Sequence, residues 1–154
     1  MSRTAFACVL ALLLVWCGAV RGADQLGTAD DARAMLDRAV AALKANEKAA
    51  LKSFNDEDNK KFRDRDLFVY CFSLTDGKFT AYQSPMLLGA DVREFKLYDE
   101  PMGQRAFDVA HDASEGQVVS IEYKLPKPGT KTPAPKEALE ARVGSQACGV
   151  SYFK

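Results

Sequence analysis

Histidine is nearly absent: His111 is the only one in 154 residues. There is no histidine pair to hold a metal, and a Ser–His or Cys–His nucleophile would have to use that single ring. His111 stands in Ala110-His111-Asp112, near the end of a predicted helix, where a solvated or dipole-stabilised imidazole is the ordinary explanation. There is no Cys-x-x-Cys, which excludes thioredoxin-like redox chemistry and c-type haem attachment. No Gly-rich phosphate loop precedes a helix. Positive charge is not in excess either, with 21 basic residues against 21 acidic ones. Without a basic excess or stripe, nucleic acid is not an expected partner, and membrane-surface binding has no compositional support. Acidic residues are plentiful, but Asp56, Glu57 and Asp58 share a loop, where solvation is the default. These absences point away from an enzyme and imply no cofactor.

Long apolar runs are also missing, with one exception at the start. Arg3 precedes Ala5 to Cys17, an apolar stretch of 13 residues, and small residues follow up to Val20-Arg21-Gly22. That is the layout of a secretory signal peptide over residues 1–22, and the run is short for a membrane span. A lipoprotein signal is the competing reading, but Trp16 occupies the position before Cys17 where a lipobox needs a small residue. The mature chain, 23–154, is expected to be one domain in the periplasm or secreted, with no membrane span and no output domain. Losing Arg3 and Arg21 leaves 19 basic residues against 21 acidic ones, a net charge of about −2. Cys8 and Cys17 leave with the leader. Cys71 and Cys148 remain, either as one disulfide in an oxidising compartment or as two buried thiols acting as small apolar residues.

What is present has clear periodicity. Thr28 and Asp31 form a capping-box pattern, and Met35, Leu36, Ala39, Val40 and Leu43 follow at helical spacing. Leu51 and Phe54 continue the stripe after the polar break Asn46-Glu47-Lys48. The reading is one long amphipathic helix, or a helix with a bend, over about Asp30 to Phe54. Leu67 to Leu74 is apolar, aromatic and β-branched on both faces, as a strand covered on both sides would be. Asp76-Gly77 and then Phe79 to Tyr82 predict a hairpin. A short helix and loop over Gly89 to Asp99, and a helix over about Gln104 to Ala113, come next. Val118 to Leu125 alternates as a strand, Pro126 to Pro135 reads as a loop, and Glu137 to Val143 and Ala147 to Phe153 read as the last two strands. The fold class is α+β: the N-terminal helix packs on an antiparallel sheet of roughly five strands, with short helices and the Pro-rich loop on the other face.

A pocket between sheet and loop needs convergent polar tips in apolar walls. Tyr70, Tyr82 and Tyr123 lie on predicted strands, and Lys136 follows the Pro-rich loop. One ammonium and two or three phenols can hold a small carboxylate by charge-assisted hydrogen bonds. The bland alternative makes the tyrosines half-buried core residues with wet tips, and Lys136 an exposed lysine. Arg93 and Arg105 are lesser candidates, more often exposed helix charges.

Spaced landmarks through the mature chain resemble single Cache domains, extracellular relatives of the PAS fold. They are Ala50 to Asn55, Phe62 to Tyr70 with the Asp76-Gly77 turn, Leu88-Gly89-Ala90-Asp91-Val92, Tyr123 with Leu125 to Gly129, Lys136, and Gly149 to Tyr152. The resemblance implies a PAS-like sheet and a sensor that binds small organic acids or amino acids. It also implies a pocket wall near Phe62, dimerisation through the N-terminal helix, and a separate signalling partner. Two positions depart from the pattern. Tyr82 stands where many relatives have His, and Leu139 stands where they tend to have Tyr. The remaining alternative is a structural or protein-interaction domain whose pocket is vestigial and filled by side chains.

Overall fold

The capping box closes as its spacing predicts. Thr28 Oγ1 accepts from the Asp31 N–H at 3.2 Å, and the Asp31 carboxylate accepts from the Thr28 N–H at 3.1 Å. The computed structural model describes residues 26–154, so the leader read at residues 1–22 lies outside the described part. Helix α1 covers Ala29–Ala45 and helix α2 covers Glu47–Phe54. The bend falls at Asn46, whose backbone is extended and whose side-chain oxygen accepts from the Ala49 N–H at 3.0 Å, capping the second helix as the first ends.

The strands are β1 (Arg63–Asp64), β2 (Leu67–Ser73), β3 (Phe79–Ala81), β4 (Val118–Pro126), β5 (Pro133–Val143) and β6 (Gln146–Phe153). They form one antiparallel sheet in the order β1-β2-β6-β5-β4, with β3 also paired to β2. Beyond β3 run two 3-10 turns, Pro85–Leu87 and Val92–Glu94, and then helix α3, Met102–Asp112. The hairpin forms around Gly77, whose φ of 74° suits glycine, but its connection is longer than a two-residue turn.

Two apolar layers flank the sheet. Met35, Leu36, Ala39 and Leu43 of α1 and Phe54 of α2 pack against Leu67, Val69 and Cys71 of β2 and Cys148 and Val150 of β6. Full burial of side chains such as Leu36, Met35 and Phe54 contributes about 1.5–3 kcal/mol each. On the opposite face, Phe72, Phe79, Val92, Met102, Ala106 and Ala110 gather under α3. Phe62, expected at the pocket wall, belongs to the first layer instead. Its ring meets Phe54 edge-on at 4.7 Å.

The Pro-rich segment is not all loop, which corrects the sequence reading. Pro126 pairs with Pro133, Leu125 with Ala134 and Lys124 with Pro135. The reason lies in which edge each proline presents. The Pro135 carbonyl accepts from the Lys154 N–H at 3.0 Å, so its nitrogen also faces the β6 side, where β6 has ended at Phe153. Past Phe153 the pairing continues only through the single Lys154 N–H, and at such a sheet end a missing proline N–H costs little.

Cys71 and Cys148 are cross-strand partners on β2 and β6, and they are joined in a disulfide with no solvent exposure. The bridge closes a loop spanning 77 residues. In the chain-entropy account, a loop of that length stabilises the fold by about 4 kcal/mol. Urea unfolding of a Cys71→Ala/Cys148→Ala double variant, compared with the oxidised protein, is expected to show a loss of that size. A loss below about 1 kcal/mol would show that the two layers hold the strands without the bridge.

Candidate functional site

Because side chains alternate across a strand, the register of β2, β6, β5 and β4 arranges the α3-facing side of the sheet as rungs. Tyr70, Gly149 and Glu140 lie on one rung, since Gly149 pairs with both of the others. Two residues along β5, Ala138 pairs with Ser151 and Ile121. Two further, Lys136 pairs with Phe153 and Tyr123. Over these rungs lies a cavity of about 330 Å³. Phe79, Phe95 and Met102 roof it, and Leu125, Pro126 and Pro128 close the end above Lys136. Its volume falls within the range of small-molecule sites, about 300–1,000 Å³.

All four residues expected from the sequence line this one cavity: Tyr70 from β2, Tyr82 just after β3, Tyr123 from β4 and Lys136 from β5. Lys136 is buried rather than exposed, at 6%. Its Nζ lies 4.2 Å from the Phe153 ring centroid. Burial pulls its ammonium below the ordinary lysine value, and the negative charge of Asp66 partly offsets this. Burial likewise raises the Tyr82 phenol and pushes Tyr123 up to about 12, although a Ser151 hydrogen bond opposes the rise at Tyr123. Both phenols therefore keep their protons at neutral pH and can donate.

Tyr70 behaves differently. Its hydroxyl donates to Glu140 Oε1 at 2.6 Å, across the backbone of Gly149. A Cβ on Gly149 would overlap the Tyr70 hydroxyl and stand 2.9 Å from Glu140 Cγ, so glycine is what lets the two side chains meet. Glu140 has no solvent exposure, and its Oε2 has no partner among the described residues. Burial raises its carboxyl from 4.5 to about 8, opposed by the Tyr70 hydrogen bond. Burial is also the main cause of the rise at Tyr70, followed by the charge of Glu140.

Asp66, a second acid missed in the sequence, also lines the cavity. Its Oδ1 accepts from the Gly27 N–H at 2.7 Å, while its Oδ2 is buried and unpartnered. The period of two was the available signal for Glu140. It shares parity with Lys136 and Ala138, opposite to the buried Leu139-facing side, and a charge at such a position must be either solvated or functional. Leu139 packs toward the helices and touches nothing in the cavity. Arg93 is paired with Asp91, Arg105 bonds the Glu122 carbonyl, and the exposed His111 lies beside Asp112 and stacks on Phe107. None of the three lines the cavity. Among the described residues no cluster of three or more His, Cys, Asp or Glu is placed to hold a metal ion, and no helix is long and apolar enough to cross a membrane.

No known protein-family profile matches the sequence, and no curated protein matches it either. Solved structures do. A methyl-accepting chemotaxis protein from Vibrio parahaemolyticus RIMD 2210633 superposes with a TM-score of 0.60 at 17% identity, over 80% of this chain and 86% of the other. The periplasmic sensor domain of a chemotaxis protein gives 0.56 at 17%, over 80% and 88%. A Cache chemosensory domain described for carboxylic acid recognition gives 0.58 at 15%, over 80% and 91%. The fold is that of a Cache domain. The cavity lies between the sheet and α3 because the side of the sheet under the long helix is filled by the first apolar layer.

Two outcomes test the Tyr70–Gly149–Glu140 rung. Gly149→Ala is expected to cost roughly 1–3 kcal/mol in urea unfolding, because the added methyl forces the pair apart. The folded chain keeps a proton on Glu140 between about 4.5 and about 8 that the unfolded chain has lost. That component of stability therefore falls as pH rises through this window, by up to about 1.4 kcal/mol per unit. Glu140→Gln removes it, so the variant should gain on the wild type as pH rises; a constant difference between them would show that Glu140 does not titrate there.

Proposed function

We propose that this chain is a small-molecule sensing or binding module that takes a carboxylate-bearing solute in the cavity between the sheet and α3. The observation that carries this reading is the convergence of Lys136, Tyr123 and Tyr82, from separate elements, on one largely apolar cavity. A ligand carboxylate beside Lys136 would supply the counter-charge that Asp66 offers only in part, and the two phenols would donate to its oxygens. Aromatic walls then bury the rest of the solute. A solved relative of the same fold is described for carboxylic acid recognition, which supports the same chemistry here.

The buried Cys71–Cys148 bridge fits an oxidising compartment, in line with an exported protein. Dimerisation through α1 and a separate protein that receives the signal belong to the same reading. The competing interaction-domain reading requires a pocket filled by side chains, and an open cavity of about 330 Å³ argues against it.

A thermal-shift screen of the purified protein against small carboxylates is the direct test. A ligand at ~100 times its Kd is expected to add about 2.7 kcal/mol of stability. That shift should vanish in Lys136→Ala and shrink in Tyr123→Phe. A broad carboxylate library that moves nothing would transfer the case to the interaction-domain reading.

A further inference from the structure

Tyr70 faces the cavity, yet its only proton is held by Glu140. To a bound solute its oxygen therefore presents lone pairs, making it an acceptor where Tyr82 and Tyr123 are free to donate. Behind it, Glu140 is fully enclosed, and one of its oxygens has no partner. The ionisable groups that act on this pair from neighbouring elements are Tyr82 and Tyr123, both neutral phenols, and among the described residues no lysine or arginine is paired with Glu140. Alone in the cavity floor Glu140 keeps its proton at neutral pH, and a cation arriving in front of Tyr70 would favour the ionised carboxylate, whose Oε1 accepts from Tyr70. The walls suit a cation as well. The rings of Phe68 and Tyr82 lie 5.5 Å apart, those of Phe79 and Tyr82 5.2 Å apart, and Phe95 stands 6.2 Å from Tyr82. Clustered aromatic faces attract an ammonium group.

We propose that the solute carries an ammonium group at the end remote from its carboxylate, and that this group donates to Tyr70 Oη while Tyr70 donates to Glu140. The inference rests on the carboxylate reading of Lys136 and extends it to a solute with two charged ends. The spacing of the two poles sets the length. Lys136 and Glu140 are four residues apart on one face of β5, about 13 Å between their Cα atoms at ~3.3 Å per residue. Tyr70 shares the Glu140 rung, so a solute that meets both Lys136 Nζ and Tyr70 Oη runs along the cavity and is an extended amino acid whose amino group is terminal. An amino group beside the carboxylate would stay near Lys136 and Tyr123, two rungs from Tyr70.

Calorimetric titration of the purified protein with pentanoate, 5-hydroxypentanoate, 5-aminopentanoate and 2-aminopentanoate tests this without any variant. The 5-amino acid is expected to bind at least tenfold tighter than pentanoate, and tighter than both the 5-hydroxy and the 2-amino acids. In Tyr70→Phe the advantage of the 5-amino acid over pentanoate should disappear; in Lys136→Ala both should weaken. Equal or tighter binding of pentanoate, 5-hydroxypentanoate or 2-aminopentanoate overturns the remote ammonium while leaving the carboxylate site intact. An advantage that survives Tyr70→Phe and is lost in Asp66→Asn moves the ammonium to Asp66 and overturns the assignment to Tyr70. Failure of all four acids to bind overturns the carboxylate reading and this inference with it.

Discussion

The disulfide between Cys71 and Cys148 pins β2 to β6 at a single register, and the rest of the sheet counts from that pair. In a strand the side chains alternate, so a slip of one residue would turn every one of them to the other face. With Cys71 and Cys148 held toward α1, their neighbours Tyr70, Phe72, Ala147 and Gly149 must face α3. The β6–β5 register then carries Glu140, Ala138 and Lys136 to the same side, and the β5–β4 register adds Tyr123. One cross-link thus separates a dry layer under α1 from the face that carries Tyr70, Tyr123, Lys136 and Ser151 into the cavity.

That separation makes the electrostatics of the cavity unusual. Lys136, Asp66 and Glu140 are ionisable groups in or just behind apolar walls, and each lacks part of the partnering that burial requires. Lys136 has only an aromatic face and the distant pull of Asp66; Asp66 has one backbone N–H; Glu140 has one phenol. Groups left this way lower stability in the empty protein, and an arriving solute of the right charges can restore the missing interactions.

Gly149 gives the floor its second character. It is buried in the middle of β6, where a glycine weakens a strand, yet it is the only rung position that lets Tyr70 reach Glu140. Because that contact uses the Tyr70 proton, three phenols that look alike divide into two donors and one acceptor. The division is what turns a cavity suited to a single carboxylate into one with two distinct ends.

Much of the architecture was legible in the chain itself, because it rests on local rules. The capping box at Thr28, the polar interruption at Asn46, the Asp76-Gly77 turn and the strand periods depend on residues close in sequence, and these elements stand close to where they were expected. The Pro-rich stretch was misread because whether a proline breaks a strand depends on which edge it presents, and that is known only once β6 is seen to end at Phe153. Tyr70, Tyr82, Tyr123 and Lys136 could be named from residue type and resemblance. Glu140 had only its strand parity as a signal, since a lone acid in a strand is ordinary until Gly149 opens a path to Tyr70 across three strands. Likewise a pair of cysteines 77 residues apart stays ambiguous until pairing sets them face to face. Local hydrogen bonding and hydrophobic period were written into the sequence alone. The charges of the cavity and the direction of its hydrogen bonds were decided by tertiary structure, because burial and partner geometry exist only after distant strands have met.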